Sequence, residues 1–311
     1  MIKHYSVLLQ ESIEGLNIKP NGIYVDGTLG RGGHSSEILK HINEGHLYAF
    51  DRDISAIEES TSRLQQVSNN FTCIHNSFSH LKEELNARKI TEIDGMVLDL
   101  GVSSPQFDEA NRGFSYRFDS PLDMRMDQSQ PLSAYDVVNS WTYQELVRIF
   151  FTYGEEKFAK QIARKIEQAR IEKPIETTFE LVNIIKSALP AKILNKKGHP
   201  AKKVFQAIRI AVNDELKELE DVLQDGLDML SIGGRICVIS FQSLEDRIVK
   251  ETFTKVSKPK QYDKRIPMLP SEIEDAPYKI INKKPIIANQ QELEENNRSH
   301  SAKLRIIERV R

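Results

Sequence analysis

Short apolar runs alternate with longer amphipathic stretches through the first hundred residues of the chain. The apolar runs cover residues 23–26, 46–51, 71–75 and 94–99, and each has the length of a β-strand. The stretches between them have helical periodicity, and Asp53 is a candidate N-cap for one of these helices. Strands that alternate with helices of this length predict β-α-β units and a parallel sheet.

The alternation stops between residues 111 and 203, where no convincing β run occurs. Two capping boxes, Thr142-x-x-Glu145 and Thr177-x-x-Glu180, mark the starts of helices instead. This change of pattern predicts a helical subdomain inserted into an α/β domain.

The strand pattern returns near the end of the chain. Residues 201–230 have the pattern of one long helix that leads back to the sheet, and residues 235–240 and 304–307 predict two further strands. A capping pattern at Ser243 predicts another helix, whereas residues 258–301 are polar and proline-rich, as is typical of a long loop. We therefore expect an α/β domain formed by residues 1–110 and 204–311, and a helical substrate-binding domain at residues 111–203.

Composition places the chain among globular proteins. Apolar residues make up 39% of the chain and charged residues 28%, which suits a packed core and excludes global disorder. No run approaches the roughly 20 apolar residues of a membrane span, and the first residues have no secretory or transit pattern. Cys73 and Cys237 each lie in an apolar run, so we expect buried thiols, no metal site and a cytoplasmic location.

The net charge of −2 conceals a strongly basic block. Residues 157–203 contain twelve Lys or Arg and four Asp or Glu, a local balance of +8, so that the rest of the chain carries −10. Such a block is more often a solvated helix face, but it is also what an anionic partner requires.

A glycine-rich turn, Asp26-Gly-Thr-Leu-Gly-Arg-Gly-Gly-His34, follows the first predicted strand. Glycines at such a turn let a ligand lie against the backbone, and doubly wound sheets bind nucleotide-like ligands there. The turn matches only part of the G-x-G-x-x-G pattern of dinucleotide sites. It fits the acid-x-G-x-G-x-G pattern of S-adenosylmethionine (AdoMet) sites with Thr28 in place of the first glycine, and the preceding acid suits a cofactor with a cationic amino-acid part.

Asp51 ends the second predicted strand, 21 residues past Gly30. A carboxylate at this position can accept hydrogen bonds from both ribose hydroxyls in either cofactor class. An ordinary tight turn without a ligand remains the alternative for this region.

The fourth predicted strand ends at Asp99 and leads into Ser104-Pro-Gln-Phe107. This segment resembles a variant of the S/D/N-P-P-Y/F loop of enzymes that methylate exocyclic amino groups. An aryl amine is a poor nucleophile because its lone pair is delocalised into the ring. A carboxylate or a rigid run of carbonyls that accepts its N–H bonds returns electron density to nitrogen, proline stiffens such a run, and an aromatic residue can stack on the base.

Taken in order, these motifs resemble one family, the bacterial small-subunit (16S) ribosomal RNA cytosine-N4 methyltransferases of the MraW type. The segments that carry the resemblance span nearly the whole chain and are residues 4–11, 26–34, 50–53, 97–106, 112–115, 122–127, 153–156, 199–201, 205–213 and 240–247.

The resemblance implies a Rossmann-like class I AdoMet-dependent methyltransferase domain with a helical insertion for the substrate, and no metal. It implies methylation of the N4 amino group of a cytosine near the ribosomal P site, cytosine 1402 of 16S rRNA, within the small ribosomal subunit. The expected cofactor-binding residues are Asp26, Gly30, Gly32, Gly33, His34, Asp51, Phe78, Asp99 and Gln106.

We expect direct in-line transfer, because the sulfonium methyl group is already activated and the protein mainly supplies alignment. Asp99, Ser104 and Pro105 are the expected lining of the methyl-transfer pocket. Asp123 is a candidate acceptor for an amine hydrogen, although a cap or a turn is the commoner role for such an aspartate.

The basic block supplies the expected RNA contacts, which are Lys196, Lys197, Lys202, Lys203 and Arg209. One departure from the family pattern is Gln242, which stands where the family usually has His. Two other functions stay open: the same chemistry on DNA or a small amine, and a ribosome-assembly factor with a vestigial AdoMet site. The sequence also leaves the oligomeric state open between monomer and homodimer.

Overall fold

The computed structural model describes residues 6–101, 109–259 and 275–311. The strands are β1 (Ile23–Asp26), β2 (His46–Asp51), β3 (Phe71–His75), β4 (Ile93–Asp99), β5 (Leu230–Ser240), β6 (Tyr278–Ile280) and β7 (Lys303–Arg309). The helices are α1 (Leu9–Leu16), α2 (Gly33–His41), α3 (Ile54–Gln65), α4 (Leu81–Ala87), α5 (Ala134–Ser140), α6 (Tyr143–Thr152), α7 (Ala159–Glu172), α8 (Thr178–Ser187), α9 (Ala191–Leu194), α10 (Lys202–Asn213), α11 (Glu215–Met229), α12 (Ser243–Val256) and α13 (Gln290–Glu295).

The strands form one seven-stranded sheet in the order β3-β2-β1-β4-β5-β7-β6. Strands β1 to β5 run parallel, whereas β7 is antiparallel to β5 and β6 is antiparallel to β7. This topology confirms the predicted parallel α/β sheet. The chain reverses its direction of strand addition between β1 and β4, and the carboxyl ends of strands at such a switch point are where α/β sheets bind ligands.

Sequence reasoning missed β6, which lies inside the segment that we predicted as a loop. The strand has only three residues and pairs at the edge of the sheet with β7. A strand of three residues has too few positions to show the alternation of apolar and polar residues, so it cannot be recognised within a polar, proline-rich segment.

Helices cover both faces of the sheet. Neighbouring residues of β1 belong to different apolar clusters: Val25 packs with Phe50 in one, and Tyr24 packs with Leu47 in the other. Since side chains alternate along a strand, the two clusters lie on opposite faces of the sheet. Among the helices of the described residues, none combines the length and the apolar composition of a membrane span.

The chain forms two compact units, one of residues 1–101 and 216–311 and the other of residues 102–215. The second boundary therefore lies after α10 and not before it, as the sequence suggested. The reason is packing, because Val204, Phe205 and Ile208 of α10 belong to the apolar core of the helical unit.

The single helix predicted over residues 201–230 is two helices, α10 and α11. Asp214 lies between them with φ 48°, a left-handed conformation that a helix of L-residues does not continue through. The break contains neither glycine nor proline, so its usual sequence signal is missing.

Local capping patterns predicted two helix starts correctly and misplaced a third. Thr142 and Thr177 both form the expected capping boxes, at the starts of α6 and α8. The expected box at Ser243 is wrong, because the N-cap of α12 is Gln242 and its partner is Glu245. Glutamine is not among the preferred N-cap residues, so the pattern favoured the serine that follows it.

Candidate functional site

The glycine-rich turn between β1 and α2 has the backbone that its sequence predicts. Gly30 and Gly32 have φ values of 48° and 69°, in the left-handed region that favours glycine. A Cβ atom at Gly33 would overlap the hydroxyl of Ser6, whereas the nearest atom to one at Gly30 is the Thr28 carbonyl oxygen at 3.8 Å. The turn is therefore packed on one side and open at Gly30.

Asp26 holds this turn together. Its Oδ1 accepts the backbone N–H of Thr28 at 3.0 Å and its Oδ2 accepts the hydroxyl of Ser35 at 2.6 Å. The Thr28 hydroxyl in turn accepts the backbone N–H of Asp99 at 2.7 Å, which ties the turn to the end of β4. Both carboxylate oxygens thus accept hydrogen bonds within the turn, so Asp26 positions the turn, and its predicted contact with the cofactor stays a prediction.

Asp51, at the end of β2, is a half-buried carboxylate with spare acceptor capacity. Its Oδ2 accepts the backbone N–H of Gly30 and its Oδ1 that of Asp53, both at 2.9 Å. Burial raises the pKa of Asp51 to about 6, against the opposing effect of these two N–H groups. Each oxygen keeps a further lone pair, so the position suits the predicted contact with two ribose hydroxyls.

Asp99 and His34 bring unpartnered polar atoms to the same edge of the sheet. Asp99 ends β4 and is half-buried, whereas His34 lies in the first turn of α2 and is buried. Within the described residues, neither Oδ1 of Asp99 nor Nε2 of His34 has a hydrogen-bond partner. Burial raises the pKa of Asp99, although the charges of Arg298 and His34 oppose the shift.

These two unpartnered atoms indicate whether the residues at this edge of the sheet suit AdoMet. An unsatisfied buried polar group costs about 1–3 kcal/mol, so such atoms at the end of a strand indicate a place for a ligand. A carboxylate and an imidazole beside an open glycine turn suit the charged methionine end of AdoMet, and Asp51 suits its ribose. The residues fit the cofactor, and the described residues contain no cluster of three metal-ligating side chains.

Phe78 begins a short 3₁₀ turn after β3, where the Ser77 hydroxyl caps it by accepting the N–H of Ser79. The Cβ atom of Phe78 lies 3.3 Å from the point that a Cβ atom on Gly27 would occupy. The side chain therefore lies beside the glycine turn, where the predicted contact with adenine requires it. That contact stays a prediction.

Three predicted residues of the methyl-transfer loop, Ser104, Pro105 and Gln106, lie outside the described residues. Their roles in catalysis and cofactor binding remain expectations from the sequence.

Asp123 lies in the helical unit and is held by Arg125. The Arg125 Nε donates to Oδ1 at 2.8 Å and Nη2 donates to Oδ2 at 3.0 Å. Burial acts to raise the pKa of Asp123, but the hydrogen bonds and charge of Arg125 outweigh it and hold the pKa below its ordinary value. A carboxylate paired in this way is a poor proton acceptor. The structure therefore favours the alternative role of Asp123, in a structural turn, over the predicted catalytic role.

The predicted RNA contacts divide into exposed and buried cations. Lys196, Lys197, Lys202 and Lys203 are exposed, and Nζ of Lys203 donates to a backbone carbonyl at 2.7 Å. Arg209 does not fit its predicted role, because its guanidinium is mostly buried and forms two hydrogen bonds with Glu215, at 2.7 and 2.8 Å. An arginine committed to a buried carboxylate is not available to a phosphate.

Sequence reasoning missed one charged residue of the site, Arg298. Its guanidinium carbon lies 5.2 Å from the centroid of the Phe241 ring, and its charge acts on Asp99. The signal that could have found it is the segment Asn297-Arg-Ser-His-Ser301, which loosely resembles a family motif before the last strand. Gln242, at the unusual family position, donates from Nε2 to Oε1 of Glu245 at 2.7 Å and so has a capping role.

Comparison with known proteins identifies the family of this chain. A family model described as the MraW methylase family matches residues 1–310. The chain belongs to the MraW methylase family. This membership confirms the resemblance found in the sequence, and it makes the protein an AdoMet-dependent methyltransferase.

Curated relatives of this MraW-family protein match over almost their full length. A ribosomal RNA small subunit methyltransferase H from Exiguobacterium sibiricum is 58% identical over 311 residues, which cover 100% of this chain and 99% of the relative. The protein of the same name from Limosilactobacillus fermentum is 56% identical over 310 residues, covering 99% of this chain and 98% of the relative. Among solved structures, an rRNA methylase from Streptococcus thermophilus has a TM-score of 0.44 at 12% identity, covering 100% of this chain and 99% of its own.

Proposed function

We propose that this protein transfers the methyl group of AdoMet to the N4 amino group of a cytosine in 16S rRNA, cytosine 1402 by family resemblance. The observation that carries the proposal is the match to two relatives named ribosomal RNA small subunit methyltransferase H, at 56% and 58% identity over almost their whole length. The buried, unpartnered Oδ1 of Asp99 supports the same conclusion, because transfer to an amine needs an acceptor for its N–H groups.

In this proposal, different residues of the sheet unit bind different parts of the cofactor. The open backbone at Gly30 admits the cofactor and Asp51 accepts hydrogen bonds from its ribose. AdoMet, when bound, supplies an electrophilic methyl group on a sulfonium. His34 and the second carboxylate oxygen of Asp99 would hold its charged end, which leaves Oδ1 of Asp99 for the substrate.

Asp99 also orients the nucleophile in this proposal. Oδ1 accepts one N–H of the cytosine amine, which shifts electron density toward nitrogen and aligns the lone pair. Because burial raises the pKa of Asp99, the carboxylate is a better proton acceptor than an exposed aspartate. The proton that the amine loses after transfer passes to Oδ1 and from there to solvent.

We further propose that the substrate is RNA within the small ribosomal subunit, in the cytoplasm. The exposed cations Lys196, Lys197, Lys202 and Lys203 support a nucleic-acid partner, since they belong to the basic block and lie on the surface of the helical unit.

A substrate panel tests the proposal. The protein is incubated with methyl-labelled AdoMet and assembled small subunits, naked 16S rRNA, DNA or no substrate, and label is counted in each fraction. We expect label in the small subunits and only background label in the other fractions. Transfer to naked rRNA alone would contradict the assembled subunit as substrate but would leave the rRNA methyltransferase activity standing. Label on DNA would favour the DNA enzyme, and cofactor binding without any transfer would favour a vestigial site.

A further inference from the structure

One face of α7 presents an uninterrupted row of polar and basic side chains to solvent. The exposed residues are Lys160, Gln161, Arg164, Lys165 and Gln168. Their spacing of one, three, one and three residues places all of them on one side of the helix, one or two turns apart. The opposite side of α7 is the part that packs into the core of the helical unit.

These five residues line a groove of about 500 Å³ on the helical unit. Its remaining walls come from Tyr143 at the start of α6 and from Ser187 and Ala188 at the end of α8. Tyr143 also packs partly against the apolar core, which fixes the position of its ring. We name this feature the α7 groove. Its lining includes none of the lysines that the sequence proposed for RNA contact.

The charge of the α7 groove is uncompensated. Among the residues that the structure describes, Lys160, Arg164 and Lys165 form no ion pair and no side-chain hydrogen bond, and the lining contains no carboxylate. The charge at the C-terminal end of α7 is compensated, because Lys173, which follows the helix, forms ion pairs with Glu176 and Glu180 at 3.3 and 2.8 Å. Three neighbouring cations without a counter-charge favour an anionic occupant.

The other lining groups suit a nucleic acid. Guanidinium and ammonium groups bind phosphate oxygens, the amides of Gln161 and Gln168 can both donate and accept, and the face of the Tyr143 ring can stack on a base or a ribose. An acidic protein segment would use the cations but would leave the amides and the ring without a specific partner.

We propose that the α7 groove binds the phosphate backbone of the substrate RNA, as a second contact apart from the methyl-transfer site. The inference rests on the proposed RNA substrate. It assigns Lys160, Arg164 and Lys165 to phosphates, and it adds an anchoring surface to the one predicted for the lysines at residues 196–203.

The test is the salt dependence of RNA binding by the full chain. One variant carries Lys160→Gln, Arg164→Gln and Lys165→Gln, which keep good helix formers on an exposed face. The matched control carries Lys250→Gln, Lys255→Gln and Lys258→Gln, which remove the same charge from an exposed surface of the sheet unit. Affinity for naked 16S rRNA is measured by filter binding between 50 and 300 mM KCl.

We expect the slope of log K against log salt to become less negative by about 2 in the groove variant, since each single-strand phosphate contact contributes about 0.7. Arg164→Gln alone should change the slope by about 0.7, and affinity at 100 mM KCl should fall at least tenfold in the triple variant. Calorimetry with S-adenosylhomocysteine should give wild-type affinity in every variant and so report an intact sheet unit.

Equal slopes for the groove variant, the control and the wild type would overturn the inference, and an acidic protein would then be the better occupant. An equal loss in both triple variants would overturn it as well, because it would show an effect of total charge. Methyl transfer by the wild type to rRNA or small subunits is measured in parallel. If the wild type binds RNA through the groove but transfers no methyl group, the proposed function fails and the groove assignment stands.

Discussion

Three aspartates at the carboxyl ends of neighbouring strands have three different environments. Both oxygens of Asp26 bind its own turn, Asp51 accepts two backbone N–H groups, and Oδ1 of Asp99 has no partner among the described residues. The sequence predicted all three positions because each acid ends an apolar run. It could not separate their roles, since these depend on the path of the backbone through the glycine turn.

In the proposed site, the carboxylate of Asp51 makes cofactor binding dependent on pH. The ionised form is the proposed acceptor of the ribose hydroxyls, and the pKa of about 6 means that this form is lost as the pH falls below 6. We expect the affinity for S-adenosylhomocysteine, measured by calorimetry from pH 8 to pH 5, to be flat above pH 7 and to fall by up to tenfold per pH unit below 6. Asp51→Asn should bind weakly with no such step, and a flat wild-type profile would contradict the assigned contact.

The same carboxylate should lower the stability of the folded protein when no cofactor is bound. Because its pKa is raised above the unfolded value near 3.8, its contribution to stability is greatest below about pH 4 and is lost as the pH rises through 6. At pH 7.5 the loss is about 3 kcal/mol, which offsets the hydrogen bonds that Asp51→Ala would remove. We therefore expect the free energy of unfolding of Asp51→Ala, from urea titration, to lie within about 1 kcal/mol of wild type.

Asp26→Ala is the matched comparison for that variant, because it also leaves two donors without acceptors. It should lower the free energy of unfolding by about 2–4 kcal/mol. Equal destabilisation by the two substitutions would show that Asp51 is a structural residue like Asp26.

At the scale of elements, the junction of α10 and α11 shows where local patterns fail. Both helices are amphipathic and the residue between them is an ordinary aspartate, so the pattern continues through a break that only the tertiary structure requires. Thr142 and Thr177 were predictable for the opposite reason, since a capping box is complete within four residues.

Asn213, the last residue of α10, ties this helix to the loop that precedes α5. Its Oδ1 accepts the N–H of Met126 at 2.8 Å, and its Nδ2 donates to the carbonyls of Met124 and Arg209 at 2.8 and 2.9 Å. Asn213→Ala leaves these buried groups unpaired, so we expect a loss of about 2–5 kcal/mol in the free energy of unfolding. Hydrogen exchange at the Met126 amide should accelerate, whereas Lys202→Ala, exposed at the start of the same helix, should change neither quantity. Unchanged protection at Met126 would contradict this role.

At the scale of the whole molecule, the two units carry different chemistry. The sheet unit holds the glycine turn and the buried carboxylates, and the helical unit holds the basic block and the α7 groove. Alternation of strands and helices predicted the fold, and it predicted one edge of the sheet for the candidate site. The later boundary was misplaced because α10 joins the helical core through contacts between distant residues, which no local pattern records.

In the proposed function, the edge of the sheet at Gly30, Asp51 and Asp99 serves methyl transfer to the N4 atom of a cytosine. The most direct measurement is mass spectrometry of nucleosides from unmethylated small subunits treated with the protein and AdoMet. We predict one N4-methylcytidine per subunit, and at least a hundredfold less with Asp99→Ala. A methyl group on another atom or another base, or an undiminished yield with Asp99→Ala, would contradict the account.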